Sequence, residues 1–245
     1  MKILGIIPAR YESTRFPGKP LADIAGKPMI QHVYERCLQT KTLSKVVVAT
    51  DNQLIYDTVI AFGGEVVMTS KEHYNGTSRC IEVAKKLCPS DLAKEYLYDY
   101  VINIQGDEPL INPNQIDELT HLFKDANAQI ITQVKKETDL SLLQNPNVVK
   151  AVFDNEFYAT DFYRKLETTI VQNQSFYKHI GIYGFQTSVL RQIVKLAPTE
   201  NELRLHLEQL RWLDHGFKIK VGITEYESIS VDTPDDLEKV RKLVL

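Results

Sequence analysis

Arg10, Arg15 and Lys19 crowd the first loop of this chain. They lie in Pro8-Ala9-Arg10-Tyr11-Glu12-Ser13-Thr14-Arg15-Phe16-Pro17-Gly18-Lys19-Pro20, directly after an apolar run. Guanidinium and ammonium groups set among small hydroxyls suit a phosphate cradle. Gly18 lets the main chain come close to a ligand. The spacing is neither that of a P-loop nor that of a dinucleotide-binding fingerprint. A solvated basic loop is the plainer alternative. Residues 1–30 carry five basic side chains against two acidic ones, whereas residues 225–245 carry six acidic against three basic.

In that acidic end, Asp232 follows a short apolar stretch and precedes Thr233-Pro234. Asp107 stands in an equivalent place after Val101 to Ile104. Two aspartates at strand ends could converge on Mg²⁺, which takes one or two carboxylates together with phosphate oxygens. Both also precede a helix opened by proline, so helix capping is the competing reading. His73-Tyr74-Asn75-Gly76-Thr77-Ser78-Arg79 mixes small polar residues with glycine and arginine and suits the reading of a base or sugar. In Lys178-His179-Ile180-Gly181-Ile182-Tyr183-Gly184, His179 begins a strand, where a lone histidine is more often structural than catalytic.

These residues need a frame that brings loops together. Lys2 to Ile7, Val46 to Ala49, Glu65 to Met68 and Tyr100 to Ile104 read as strands. Helical spacing follows from Pro28, after Asp51 or Asn52 as cap, over 78–88 and from Pro113. Residues 9–26 read as a long loop, of the kind that is usually functional. Beyond residue 125 the pattern is less regular. Strands are expected at Ile130 to Val134, Val148 to Phe153, Ile180 to Phe185 and Lys218 to Ile223. One helical stripe covers 202–214, and a last helix opens at Pro234 with Thr233 as its cap. Strands alternating with helices imply an α/β fold with a mostly parallel sheet, whose ligands bind at the carboxyl ends of the strands. The loops after Ile7, Ala49 and Ile104 are then the functional ones.

The chain has 245 residues, a formal net charge of −3, 43% apolar and 25% charged residues. That excludes a disordered chain and a collagen, and argues against a dedicated nucleic-acid binder. One domain is expected, with a less regular portion around 125–200. Cys37, Cys80 and Cys88 are odd in number and form no CxxC pair, so free thiols in a reducing compartment are expected. No apolar run reaches the ~18 residues of a membrane span. The N-terminal run is short for a signal peptide, and a cytoplasmic protein is the expectation.

The loops together resemble the CMP-Kdo synthetases, the 3-deoxy-manno-octulosonate (Kdo) cytidylyltransferases. The resemblance is carried by Ile7-Pro8-Ala9-Arg10-Tyr11, Pro17-Gly18-Lys19-Pro20-Leu21, Ala49-Thr50-Asp51, Gln105-Gly106-Asp107-Glu108-Pro109, Asn145-Pro146-Asn147, Leu207-Glu208-Gln209-Leu210-Arg211 and Val231-Asp232-Thr233-Pro234. It implies a nucleotidyltransferase fold of GT-A type, a homodimer, and the reaction of CTP with Kdo to CMP-Kdo and pyrophosphate, with Mg²⁺. By resemblance, Arg10, Ser13, Arg15 and Lys19 hold the CTP phosphates. His73, Gly76, Thr77 and Arg79 line the nucleotide site, Gln105 helps to read cytosine or sugar, and Asp107 and Asp232 are metal ligands. Arg164, His179, Tyr183, Glu208 and Gln209 match the sugar-acid side.

Departures from the family pattern concentrate on that acceptor side. Tyr163 stands where the family has serine, Glu167-Thr168 replace an Ile-Pro stretch nearby, and Leu205 replaces a glutamate. Nearer the nucleotide, Glu12, Asn75 and Ser78 replace glycine, serine and an acid. The alternatives are the same transfer to another acidic sugar, or a non-catalytic nucleotide-binding protein.

Overall fold

The computed structural model describes residues 1–12, 15–89, 96–166, 175–227 and 229–244. The chain divides into two compact units, Met1–Asp117 with Glu227–Leu245, and Glu118–Tyr226. The stretch at 125–200 singled out above lies within the second of them.

In the first unit the run of consecutive apolar residues becomes β1 (Ile3–Ala9), buried at every position but Pro8. A short hairpin follows, of β2 (Asp23–Ile24) and β3 (Lys27–Pro28), turned by Ala25 and Gly26 at φ 51° and 82°. With the short 3-10 turn Lys19–Leu21, this hairpin gives the expected loop of residues 9–26 more structure than its prolines and glycines suggest. Next come α1 (Met29–Cys37), β4 (Lys45–Thr50), α2 (Gln53–Ala61), β5 (Val66–Met68), α3 (Gly76–Lys86) and β6 (Tyr100–Asn103). β1 pairs in parallel with both β4 and β6, and β4 pairs in parallel with β5. The strand order is thus β6-β1-β4-β5, with every carboxyl end on one edge. α3 begins at Gly76 rather than at residue 78, because the Asn75 side chain accepts from the Ser78 amide at 2.9 Å and fixes the start.

α4 (Pro113–His121) carries the chain into the second unit. There β7 (Ile130–Glu137), β8 (Lys150–Phe153), β9 (Ala159–Tyr163) and β10 (Phe176–Gln186) precede α5 (Thr187–Ile193), α6 (Glu200–Leu205), α7 (Glu208–Asp214) and β11 (Ile219–Ile223). β7 is antiparallel to β10 and parallel to β11, and β8 is antiparallel to β9. The parallel pattern expected for the sheet is therefore complete in the first unit and mixed in the second. The helical stripe expected over 202–214 is two helices. His206 adopts φ 51° and ψ 49°, a left-handed conformation that ends α6. Trp212 of α7 is buried edge-on against Tyr183 and Phe185, with ring centroids 5.0 and 5.3 Å away.

The chain returns to the first unit with α8 (Pro234–Val244). α8 packs Leu237 and Val240 on Ile24, Met29 and Val231.

Candidate functional site

The basic loop and the acidic C-terminal segment meet at Lys19. Gly18, at φ 71°, donates its amide to the Tyr11 carbonyl at 2.8 Å and opens the 3-10 turn that begins with Lys19. An L side chain at that φ is strained, so glycine is the natural choice there. The Lys19 ammonium lies 2.6 Å from Asp107 Oδ2 and 3.4 Å from Asp232 Oδ1, and donates to the Val231 carbonyl at 3.0 Å. Arg15 reaches the same Asp232 oxygen at 3.0 Å. The Val231 amide donates to the Asp107 carbonyl at 2.8 Å, which pins the two acidic segments together through main chain. Gly106, beside Asp107, sits so close to β1 that a Cβ there would fall 2.6 Å from the Pro8 carbonyl oxygen.

The capping alternative for the two aspartates does not hold. Thr233 caps α8 in a reciprocal box: its hydroxyl accepts from the Asp236 amide at 3.3 Å and donates to the Asp236 carboxylate at 2.8 Å. Asn112 accepts from the Asn114 amide at the start of α4. Both aspartates are left to face a cation. Among the described residues no group of three or more His, Cys, Asp or Glu gathers as a metal cage. Two carboxylates and a nearby carbonyl are the oxygen donors that suit Mg²⁺, which keeps waters and substrate phosphates as its other ligands.

Arg10 borders an open pocket lined also by Tyr11, Glu12, Asp51, Asn52 and Lys71. Burial, then the charge of Arg79, lowers the Arg10 pKa, and Asp51 partly opposes both. Arg10 donates to the His73 carbonyl, and the His73 ring meets Glu82 on α3. Glu82 also takes the Ser70 amide at 3.1 Å and Lys86 at 2.7 Å. Burial alone would raise Glu82, but the hydrogen bonds from Lys86, His73 and Ser70 prevail and hold it at about 2, against an ordinary 4.5. A depressed carboxylate contributes stability that is complete above pH 4.5 and fades as pH falls toward 2. The stability gap between wild type and Glu82→Gln should therefore narrow over that range in urea unfolding at stepped pH. A gap that stays constant would mean that the carboxylate's charge is not what holds this corner.

Arg79, expected among the nucleotide ligands, is fully buried. Its guanidinium bonds Asp51 at 2.6 Å and the Thr69 hydroxyl, tying the end of β4 to the end of β5. It supports the pocket wall from behind instead of lining it. Removing one partner of a buried pair costs about 3–5 kcal/mol, and Arg79→Met should lose about that much in denaturant titration. A loss under about 1 kcal/mol would show that Asp51 finds water instead. With Asp51 on Arg79, Asn52 alone caps α2, accepting from the Leu54 and Ile55 amides at 2.9 and 3.3 Å. Gly76 and the buried Thr77 open α3, and half-buried Gln105 follows β6. Ser13 lies outside the described residues.

In the second unit, His179 on β10 shares a 3.0 Å contact with the Thr132 hydroxyl and sits edge-on to Phe162, with ring centroids 5.1 Å apart. Burial lowers it to about 3, so the ring is neutral at physiological pH. The Tyr183 ring centroid is 5.3 Å from that of His179. Tyr183 is 8% exposed, and its hydroxyl has no hydrogen-bond partner among the described residues. Burial, then the charge of Glu208, raises it well above its ordinary value, and the nearby Thr132 side chain opposes both. A buried phenol left unpaired beside a carboxylate is a place where a polar ligand restores a lost hydrogen bond. Glu208 and the buried Gln209 form the first turn of α7.

Arg164, expected on the sugar-acid side, spends its donors on the main-chain carbonyls of Leu205, Pro146 and His206, the last two at 2.9 Å. Tyr163 packs against the cluster of Leu143, Leu166 and Phe176, and Asp161, then burial, pushes its hydroxyl up to about 12. Glu202 on α6 binds Arg211 of α7 through two 2.6 Å contacts. Thr132 and Lys150 carried no sequence signal, since their partners are distant in the chain or belong to the main chain.

The sequence model of the cytidylyltransferases matches residues 4–219. The chain is 50% identical to a 3-deoxy-manno-octulosonate cytidylyltransferase of Parabacteroides distasonis, over 98% of this chain and 96% of that one. It is 46% identical to the enzyme of that name from Thermodesulfovibrio yellowstonii, over 99% and 98%. Its fold is similar to the solved structure of CMP:2-keto-3-deoxy-manno-octonic acid synthetase complexed with CTP, with a TM-score of 0.90 and 38% identity over 100% of this chain and 98% of that one. With a family match over most of its length and relatives about half identical from end to end, the chain belongs to the cytidylyltransferase family, among the 3-deoxy-manno-octulosonate cytidylyltransferases.

Proposed function

We propose that this protein transfers CMP from CTP to Kdo, giving CMP-Kdo and pyrophosphate. The convergence of Asp107 and Asp232 on Lys19, at the carboxyl edge of the parallel strands, is the observation that carries this reading. A hydroxyl oxygen of the sugar acid, giving up its proton to solvent, bonds to the α-phosphorus as the bond to the bridging oxygen breaks and pyrophosphate leaves. Such transfers leave little covalent work for the protein and depend on positioning and charge neutralisation. Arg10, Arg15 and Lys19 take the triphosphate charge, a role that the resemblance extends to Ser13. The loop opening α3 and Gln105 hold the nucleoside. Asp107 and Asp232 would hold Mg²⁺, which neutralises phosphate oxygens when bound.

His179, Tyr183, Glu208 and Gln209 are the residues we assign to the acceptor. The neutral His179 and the unpaired Tyr183 hydroxyl offer hydrogen bonds to a polyhydroxylated acid without adding charge. We also read the protein as a cytoplasmic homodimer whose product serves lipopolysaccharide or capsule synthesis. No helix among the described residues is long and apolar enough to cross a membrane.

A pyrophosphate-release assay over the four nucleoside triphosphates and several acidic sugars tests the reaction. Release with CTP and Kdo, dependent on Mg²⁺, is expected. Turnover with another 2-keto-3-deoxy acid and none with Kdo would move the assignment to that acid. CTP binding without release in any combination would reduce the protein to a binder.

A further inference from the structure

We infer that Lys150 and Arg164 form a cationic strut that positions the first turn of α7, with Glu208 and Gln209, and that Arg164 is a positioning residue rather than a ligand of the acceptor carboxylate. The inference rests on the acceptor role proposed above for Glu208 and Gln209.

Lys150 is completely buried, yet its ammonium donates only to main-chain carbonyls, those of Asn145 at 2.8 Å and Arg164 at 2.9 Å. Arg164 extends the chain of contacts to the carbonyls of Pro146, Leu205 and His206. Among the described residues neither cation pairs with a carboxylate, so five carbonyls share the two charges. The carbonyls of Leu205 and His206 are the open end of α6, where a helix presents partial negative charge and a cation is favourable. His206 holds a left-handed conformation, which costs energy for a residue with a Cβ and persists only where its surroundings hold it. Arg164 supplies that hold. Two residues further on, Glu208 begins α7, so the guanidinium sets where the acceptor residues start. Lys150 fixes the carbonyl of Arg164 from below and has no exposed surface with which to touch a substrate itself.

The test uses Lys150→Met, Arg164→Ala and Arg164→Lys, with three readouts. Trp212, the chain's single tryptophan, lies on α7 against Tyr183 and Phe185 and reports the seating of that helix. Lys150→Met and Arg164→Ala should shift Trp212 emission to the red and increase acrylamide quenching, without any ligand added. Both should lower kcat with Kdo by about tenfold to a hundredfold, as a displacement of about 1 Å in a positioned site does. CTP affinity, measured by calorimetry, should stay at the wild-type value, and Arg164→Lys should recover part of both losses.

A raised KM for Kdo in Arg164→Ala with unchanged Trp212 emission would overturn the strut and make Arg164 a direct carboxylate ligand. Wild-type kinetics and emission in Lys150→Met would overturn it equally. Should Lys150→Met fail to fold, the Arg164 pair decides by the same readouts. If the wild-type protein releases no pyrophosphate with Kdo, the functional reading fails, while Trp212 still decides whether Lys150 and Arg164 seat α7.

Discussion

Asp107→Asn and Asp232→Asn should each lower Mg²⁺-dependent pyrophosphate release by about 10²–10³, the usual loss when one preorganised charge contact leaves a reacting site. The change is one of charge alone, since asparagine matches aspartate in shape. The main chain at both positions is held independently, by the Val231 amide on the Asp107 carbonyl at 2.8 Å and by the Thr233 and Asp236 box that starts α8. The Lys19 contacts with both carboxylates are partly exposed, so the cost in stability should be about 1 kcal/mol or less. Unfolding midpoints near wild type alongside the lost turnover would fit a metal site and exclude a folding defect. Near-wild-type turnover in both variants at limiting Mg²⁺ would remove the two aspartates from the chemistry.

Those two carboxylates were legible because both end apolar strands and both precede a proline that opens a helix. The sequence left two readings, metal ligand or cap, and the cap reading falls because neighbours already do the capping. Asn112, Asn52 and Thr233 fill the cap positions with their own side chains. The first unit was readable strand by strand, since β1 and β4 bury nearly every residue and leave unbroken apolar runs. In the second unit the break at His206 has no glycine or proline to announce it, and the apolar spacing runs on through it. β9 and α5 are short and carry no clear period.

The roles of Arg79 and Arg164 were hidden for a different reason. An arginine that binds an aspartate from another strand end, or a set of main-chain carbonyls, leaves no trace in local sequence. Motif matching assigns such a residue to the ligand by default. Arg79 has no exposed surface, and the donors of Arg164 meet main-chain carbonyls. Tyr163 illustrates the same limit on the acceptor side. Its bulk, in place of a serine, sits against Leu143, Leu166 and Phe176, so the exchange is accommodated by packing.

Lys19→Ala should lower kcat as well as CTP affinity, with kcat falling by about 10²–10³. The ammonium sits 2.6 Å from Asp107 and 3.4 Å from Asp232, and its side chain is 14% exposed. It is therefore held in place before any triphosphate arrives, and little reorganisation is needed when charge builds on the departing pyrophosphate. If KM for CTP rose while kcat stayed constant, Lys19 would bind ground state and transition state alike and would not be catalytic. A second measurement needs no turnover. With its ammonium gone, the pair Asp107 and Asp232 faces no lysine cation, so a dication should compete for it more easily. Calorimetry on the nucleotide-free protein should show tighter Mg²⁺ binding in Lys19→Ala than in wild type, in the same variant that turns over more slowly. Weaker Mg²⁺ binding in that variant would mean that Lys19 assembles the two carboxylates instead of occupying them.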